Sequence, residues 1–175
     1  MQFPSLHTLA LLRCPMTSKS IDLLTGLELT SIELTDCNIT DEGLSCLSVA
    51  CPLLQTLSLG HNPQLTDVAI GQLRKLFPSL HTLSMQYSPM PNNRIRILKT
   101  LNLVSLDLSY CQVEKHSCFD PIKSLMFYKD PKKDPKNLNL KNLNLSGLSP
   151  NDCLLMQKRA QLRDFAITKE VKLIL

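Results

Sequence analysis

Phe3-Pro4-Ser5-Leu6-His7-Thr8-Leu9 returns, residue for residue, as Phe77-Pro78-Ser79-Leu80-His81-Thr82-Leu83. Literal recurrence within one chain signals a repeat architecture, and it governs how the neighbouring sequence is read. Around both copies runs one pattern, L-x-x-L-x-L-x-x-(N/C). It appears as Leu6/Leu9/Leu11/Cys14, Leu29/Ile32/Leu34/Cys37 and Leu54/Leu57/Leu59/Asn62. It continues as Leu80/Leu83/Met85/Ser88 and Leu103/Leu106/Leu108/Cys111. A sixth copy, Leu140/Leu143/Leu145, ends on Leu148, and a weaker seventh is read at Leu162/Phe165/Ile167.

The copies start 23, 25, 26, 23, 37 and 22 residues apart. Five of these six spacings match a leucine-rich repeat of about 20–29 residues. Inside x-L-x-L-x the period is two, so the leucines point one way and their neighbours the other. One such turn cannot bury its apolar side alone, and stacking lets neighbouring turns share a core. The expected fold is α/β: a leucine-rich-repeat horseshoe solenoid, with a parallel β-sheet on the concave face and short helices on the convex face. Residues 1–175 are expected to form a single domain of about six to seven repeats.

Composition agrees with an aliphatic core. Hydrophobic residues make up 43% of the 175 and aromatics only 5%, with no Trp, so leucine must supply most of the burial. The Cys or Asn at the end of each strand pattern falls where the chain turns inward. Asn can bond the loop backbone there, and Cys serves as a small buried group with a weak S–H donor. That assigns Cys14, Cys37 and Cys111 a packing role.

Helices are expected in the return segments. Thr40-Asp41-Glu42 caps one carrying Leu44, Leu47 and Ala50, ended by Cys51-Pro52. Thr66-Asp67 opens another with Ile70, Leu73 and Leu76, ended by Phe77-Pro78. Asn92 or Asn93 precedes Ile95 and Leu98, and Asp120-Pro121 opens a turn with Ile122 and Leu125. Ser149-Pro150-Asn151-Asp152 begins a last helix with Leu154, Leu155 and Gln161. The longest repeat contains Tyr128-Lys-Asp-Pro-Lys-Lys-Asp-Pro-Lys136, a charged loop insertion expected near 128–137. Both ends lack a polar cap: the chain starts on Phe3-Pro4 and stops on the apolar Val171–Leu175. It is expected to be either a fragment of a longer protein or a piece whose ends a partner covers.

Leu34-Thr-Asp-Cys37-Asn-Ile-Thr-Asp41-Glu-Gly-Leu44, followed by Cys51-Pro52-Leu-Leu54, resembles the cysteine-containing repeat of F-box/leucine-rich-repeat proteins, typically C-x-x-I/L-T-D-x-G-L and then C-P-x-L. Leu59-Gly-His-Asn62-Pro-Gln-Leu65-Thr-Asp67 looks like a second instance. The close match covers about residues 27–85. The resemblance implies the substrate receptor of a cullin-type ubiquitin ligase, meeting the ligase adaptor through an F-box segment that this sequence does not show. The alternative is a non-catalytic intracellular scaffold, or an inhibitor of the ribonuclease-inhibitor-like repeat type. Either way the expected partner is another protein.

Other chemistries find little support. A net charge of +4 spread along the chain is no phosphate-tracking stripe, so no nucleic-acid partner is expected. No apolar run approaches the ~20 residues of a membrane span. Seven Cys, an odd number without a signal peptide, suit a reducing intracellular compartment, cytoplasmic or nuclear. His116-Ser117-Cys118 lacks the further ligands or orienting group that zinc or nucleophilic catalysis needs. No catalytic residue, cofactor or metal site is assigned.

The outward strand positions should form three columns. The first is Thr8, Ser31, Thr56, Thr82, Ser105 and Asn142. The second is Ala10, Glu33, Ser58, Ser84, Asp107 and Asn144. The third is Leu12, Thr35, Gly60, Gln86, Ser109 and Ser146. This small, polar face is either a shallow groove for a partner or simply a pleated surface that tolerates hydroxyls. Just beyond the columns come Arg13, Asp36, His61, Tyr87 and Tyr110, where binding anchors would sit. The two tyrosines are either anchors or rings packed on neighbouring loops. Glu33, Asp36, His61, Gln86, Tyr87, Asp107 and Tyr110 are the candidate partner-binding residues.

Overall fold

The structure, a computed structural model, describes residues 5–114, 119–126, 140–148, 159–168 and 171–175. The charged segment 128–137, the His116-Ser117-Cys118 grouping and the helix start at 149–152 lie outside the described residues. The chain divides into two compact units, Met1–Ser84 and Met85–Leu175.

In the first unit, strands β1 (Thr8–Ala10), β2 (Ser31–Glu33), β3 (Thr56–Ser58) and β4 (Thr82–Ser84) pair in parallel, in chain order. The register aligns Thr8 with Ser31, Ser31 with Thr56, and Thr56 with Thr82, which are the columns expected from the period-two reading. Ile32, Leu57 and Leu83 are buried at the strand centres, and Leu34, Leu59 and Leu54 are fully enclosed beside them. Each such side chain contributes about 1.5–3 kcal/mol by leaving water.

Between the strands run α1 (Ser18–Asp22), α2 (Asp41–Ala50) and α3 (Asp67–Leu76), packed side by side in order. Leu44, Leu47 and Ala50 form the buried face of α2, and Ile70 and Leu73 that of α3. Thr40 caps α2 by accepting the Gly43 N–H at 3.1 Å. Thr66 holds the N-cap position of α3 without bonding that helix's own amides. Instead the Asp41 carboxylate, at the start of α2, accepts the Thr66 N–H at 2.9 Å and its hydroxyl at 2.6 Å. The Thr-Asp pair thus joins one return helix to the next. Helix α1, which the sequence reading passed over, has a reciprocal cap: Thr17 takes the Ser20 N–H while the Ser20 hydroxyl takes the Thr17 N–H.

In the second unit, β6 (Ser105–Asp107), β8 (Asn142–Asn144) and β9 (Lys172–Ile174) form a parallel sheet, again in the expected register of Ser105 with Asn142. A second, two-stranded parallel ladder joins β5 (Pro89–Met90) to β7 (Gln112–Val113). Helices α4 (Asn92–Leu98) and α5 (Phe119–Leu125) pack together, and α6 (Arg159–Thr168) precedes β9. Pro91, rather than an asparagine, occupies the cap position of α4. The Glu114 carboxylate receives the Asn92 N–H and side-chain amide there, a second clamp at a helix start.

Two sequence expectations are corrected. Leu162/Phe165/Ile167 is not a seventh strand but part of α6. Its buried positions, Leu162 and Ala166, fall one helical turn apart, while Ile167 is 76% exposed, so the period is four and not two. The strand is β9, and the apolar end of the chain serves as its pairing segment with β8. Cys14 is exposed rather than buried, because β1 has a described neighbour on one side only.

The strand-closing residues explain how successive turns are tied. Cys37, fully buried, donates its thiol to the Leu11 carbonyl at 3.0 Å, and Cys111 does so to the Met85 carbonyl at 3.1 Å. Asn62 does more. Its Nδ2 donates to the Leu34, Leu59 and Gly60 carbonyls at 2.8, 3.0 and 3.1 Å, and its Oδ1 accepts the Cys37 and Ile39 N–H groups at 3.2 and 2.9 Å. Removing that side chain strands two buried donors, each costing about 1–3 kcal/mol. Asn62→Ala is therefore expected to destabilise the fold by about 2–4 kcal/mol in urea unfolding, and Asn62→Cys, the residue the pattern itself uses, by less.

Candidate interaction surface

The first two columns are half-exposed in the central strands: Ser31, Glu33, Thr56, Ser58, Thr82 and Ser84 in the first unit, Ser105 and Asp107 in the second. The third column departs from expectation. Gly60 and Ser109 are buried, because by that point the chain has begun its turn: Asn62 holds the Gly60 carbonyl, and the Asp107 carboxylate takes the Ser109 N–H at 2.9 Å. Thr35 stays half-exposed and pairs with Ser58 at 3.1 Å, while its hydroxyl approaches Glu33 Oε1 at 3.5 Å.

Beyond the columns lies a feature that the sequence reading did not anticipate. Arg13, Asp36, His61, Tyr87 and Tyr110 all adopt left-handed backbone, with φ of 54°, 59°, 53°, 56° and 57°. Non-glycine residues visit this region uncommonly, and bulky ones least. Gly147, five residues after Asn142 as Tyr110 is five after Ser105, continues the series at φ 69°. The repeat demands the conformation whatever residue stands there. Asp36, His61 and Gly147 are types that suggest it from sequence, whereas Arg13, Tyr87 and Tyr110 are not.

In the first unit this row is ionic. Asp36 receives His61 Nδ1 at 2.9 Å and faces Arg13 Nε at 3.8 Å. All three groups are substantially exposed, so solvent screens the pairing and its worth is small. In the second unit the row is aromatic. Tyr87 and Tyr110 stack with centroids 4.9 Å apart and planes 9° from parallel, each about half exposed. In the same unit Gln86 Nε2 donates to Asp107 Oδ2 at 2.7 Å. The structure thus gathers the candidate residues into two groups: Asp36 and His61 in direct contact, with Glu33 on the adjoining strand; and Gln86, Asp107, Tyr87 and Tyr110.

Gly147 belongs with the second group, and the sequence reading missed it. A Cβ there would lie 2.3 Å from the Tyr110 ring, so the ring occupies the space that glycine leaves. The signal was available as the five-residue offset from the first column.

Cys37, Cys51 and Cys111 show no sign of activation. Burial pushes the Cys51 and Cys111 thiols up to about 11 from their ordinary 9.0, and raises Cys37 as well. Reactive thiols need the opposite shift. Among the described residues no group of His, Cys, Asp and Glu is arranged to hold a metal ion. No helix among them is long and apolar enough to cross a membrane.

Residues 29–48, which run from the end of one return through β2 into α2, match the family model described as Leucine Rich repeat. A search of curated proteins gives no match. The chain carries a leucine-rich repeat there, within a parallel sheet backed by helices.

Two outcomes are expected. Gly147→Ala adds a side chain at positive φ and displaces the Tyr110 ring, lowering stability by about 1–2 kcal/mol in denaturant titration. A raised thiol pKa stabilises the fold fully below the unfolded value and less as pH climbs through the folded one. The urea midpoint should therefore fall between pH 9.0 and about 11, less steeply in Cys51→Ala and Cys111→Ala.

Proposed function

We propose that this chain is a non-catalytic protein-recognition module, and that it holds a substrate protein for a cullin-type ubiquitin ligase. The proposal includes the horseshoe expected from the repeats as the form that displays the strand columns. The observation that carries recognition is the registered array itself. Small hydroxyl side chains occupy equivalent places along parallel strands, and a row of larger residues in strained backbone borders them. Such a surface lets a partner's backbone approach closely, while Tyr87 and Tyr110 offer wide amphipathic contact area.

The ligase role rests on the phrase Leu34–Leu44 and the Cys51-Pro52 that follows it, which fall in and beside the matched segment. In this reading the module contributes position: it holds the substrate while the ligase supplies the chemistry. The adaptor would be met through a segment other than the repeats.

Affinity capture from cells, with chemical cross-linking and identification of the retained proteins, tests both levels. Recovery of a partner cross-linked to the strand face together with cullin-adaptor components supports the proposal. A retained partner with adaptor consistently missing turns the reading to a scaffold or inhibitor. Tyr87→Ala and Tyr110→Ala are each expected to weaken partner binding by more than about 1 kcal/mol with the circular dichroism spectrum unchanged. Unaltered affinity in both removes the tyrosines from the interface.

A further inference from the structure

We infer that Cys14 and Cys37 form a reversible disulfide site, closed by exchange with a small-molecule disulfide of the oxidised-glutathione type. Such a site is a modification of the first two turns and stands apart from the recognition role proposed above.

The backbone places the two residues side by side. Thr8 pairs with Ser31, and the same offset brings Cys14 opposite Cys37. Two bonds bracket the pair beyond the strands: the Arg13 N–H donates to the Thr35 carbonyl at 3.0 Å, and the Met16 N–H to the Cys37 carbonyl at 2.8 Å. Arg13 and Asp36, just before the two cysteines, share left-handed backbone and face each other at 3.8 Å. The two turns therefore run alongside each other in one conformation. Neighbouring strands lie about 4.7–4.9 Å apart, inside the span of about 4.4–6.8 Å that disulfides need between Cα atoms.

The thiols are set alike. Cys14 Sγ donates to the Leu12 carbonyl at 3.3 Å and Cys37 Sγ to the Thr35 carbonyl at 3.5 Å, each two residues back in its own turn. Cys37 Sγ also lies 3.0 Å from the Leu11 carbonyl, so its sulfur already reaches the first turn, near enough to the Cys14 amide for that group to favour its thiolate. Rotation of the exposed Cys14 side chain off the Leu12 carbonyl is the motion that joins the sulfurs. No other pair of neighbouring closing positions holds two cysteines, since Asn62 follows Cys37 and Ser88 precedes Cys111.

Exposure assigns the order of events. The Cys14 thiolate meets the oxidant, attacks one of its sulfurs and releases one glutathione thiolate, leaving a mixed disulfide. Burial raises the Cys37 thiol above its ordinary range, so it reacts second. Once its proton has passed to solvent it attacks the Cys14 sulfur, forms the Cys14–Cys37 bond and expels the other glutathione thiolate. Each released thiolate takes up a proton, and the electron pair lost by the cysteines is gained by the oxidant. The hydrogen bond from Cys37 to the Leu11 carbonyl gives way to a covalent tie between the same two turns.

The test incubates the full chain with oxidised glutathione in native buffer, alkylates it, and digests it at Asp and Glu. That cleavage isolates Cys37, between Asp36 and Asp41, from Cys46 and Cys51. Mass spectrometry is expected to find a linked Cys14–Cys37 peptide as the main product, with two of the seven thiols lost to alkylation and returned by dithiothreitol. Cys37→Ser keeps a small donor, as the buried Ser88 is in its own turn, and should stop at glutathione on Cys14. Cys111→Ser should leave the linkage unchanged. The same incubation in concentrated urea should lose the preference for this pair. No loss of thiols, glutathione that stays on Cys14 of the unsubstituted chain, a main linkage to another cysteine, or equal preference in urea overturns the inference.

Discussion

Three turns of this chain are closed by a side chain that reaches back to the carbonyl of an equivalent residue in the turn before. Cys37 reaches Leu11, Asn62 reaches Leu34 and Cys111 reaches Met85, three residues after the start of the respective strand position in every case. A buried carbonyl left unpaired would cost much of what leucine burial contributes at the same place. The closing residue must therefore be small enough for a fully packed core and still able to donate. Cysteine and asparagine meet both demands. Asn62 adds acceptance, taking the Cys37 and Ile39 amides, and so secures the backbone on both sides of the turn.

The residue just before the closing position takes left-handed backbone at Arg13, Asp36, His61, Tyr87 and Tyr110, both where the closing side chain reaches back, as at Cys37, and where it bonds within its own turn, as at Cys14. The conformation recurs in both units and leaves the identity of the residue free. Strain of this kind costs of order 1–3 kcal/mol per residue and persists where the surroundings enforce it. The fold can therefore vary this row: ionic around Asp36, aromatic at Tyr87 and Tyr110.

Most of the strand architecture was legible before any coordinates. Period-two alternation around Ile32, Leu57, Leu83 and Leu106 fixes which side chains are buried, and a one-residue slip would turn the core outward, so register was determined as well. The Thr-Asp pairs announced α2 and α3, although their inter-helix bond through Asp41 and Thr66 could not be read from either repeat alone. Helix α1 was missed because its cap is Thr17 with Ser20, in a segment of only five helical residues. The stretch around Leu162 misled because its apolar residues fit a strand template nearly as well as a helical one, and burial of Leu162 with Ala166 decides between them. The left-handed row was hidden for a different reason. Arg and Tyr have no preference for that backbone, so a conformation imposed by packing leaves no trace in residue type there. The candidate residues were found by their offset from the leucines, which is also the signal that would have located Gly147.

Amide hydrogen exchange at Cys37 and Ile39 tests the closing interaction most directly. If the Asn62 side chain holds both groups in the core, they should exchange as slowly as the strand amide of Ile32, opening only with the unit as a whole. Exchange as fast as that of the exposed Asn38 between them would contradict the account, since it would mean that the turn is not pinned from within.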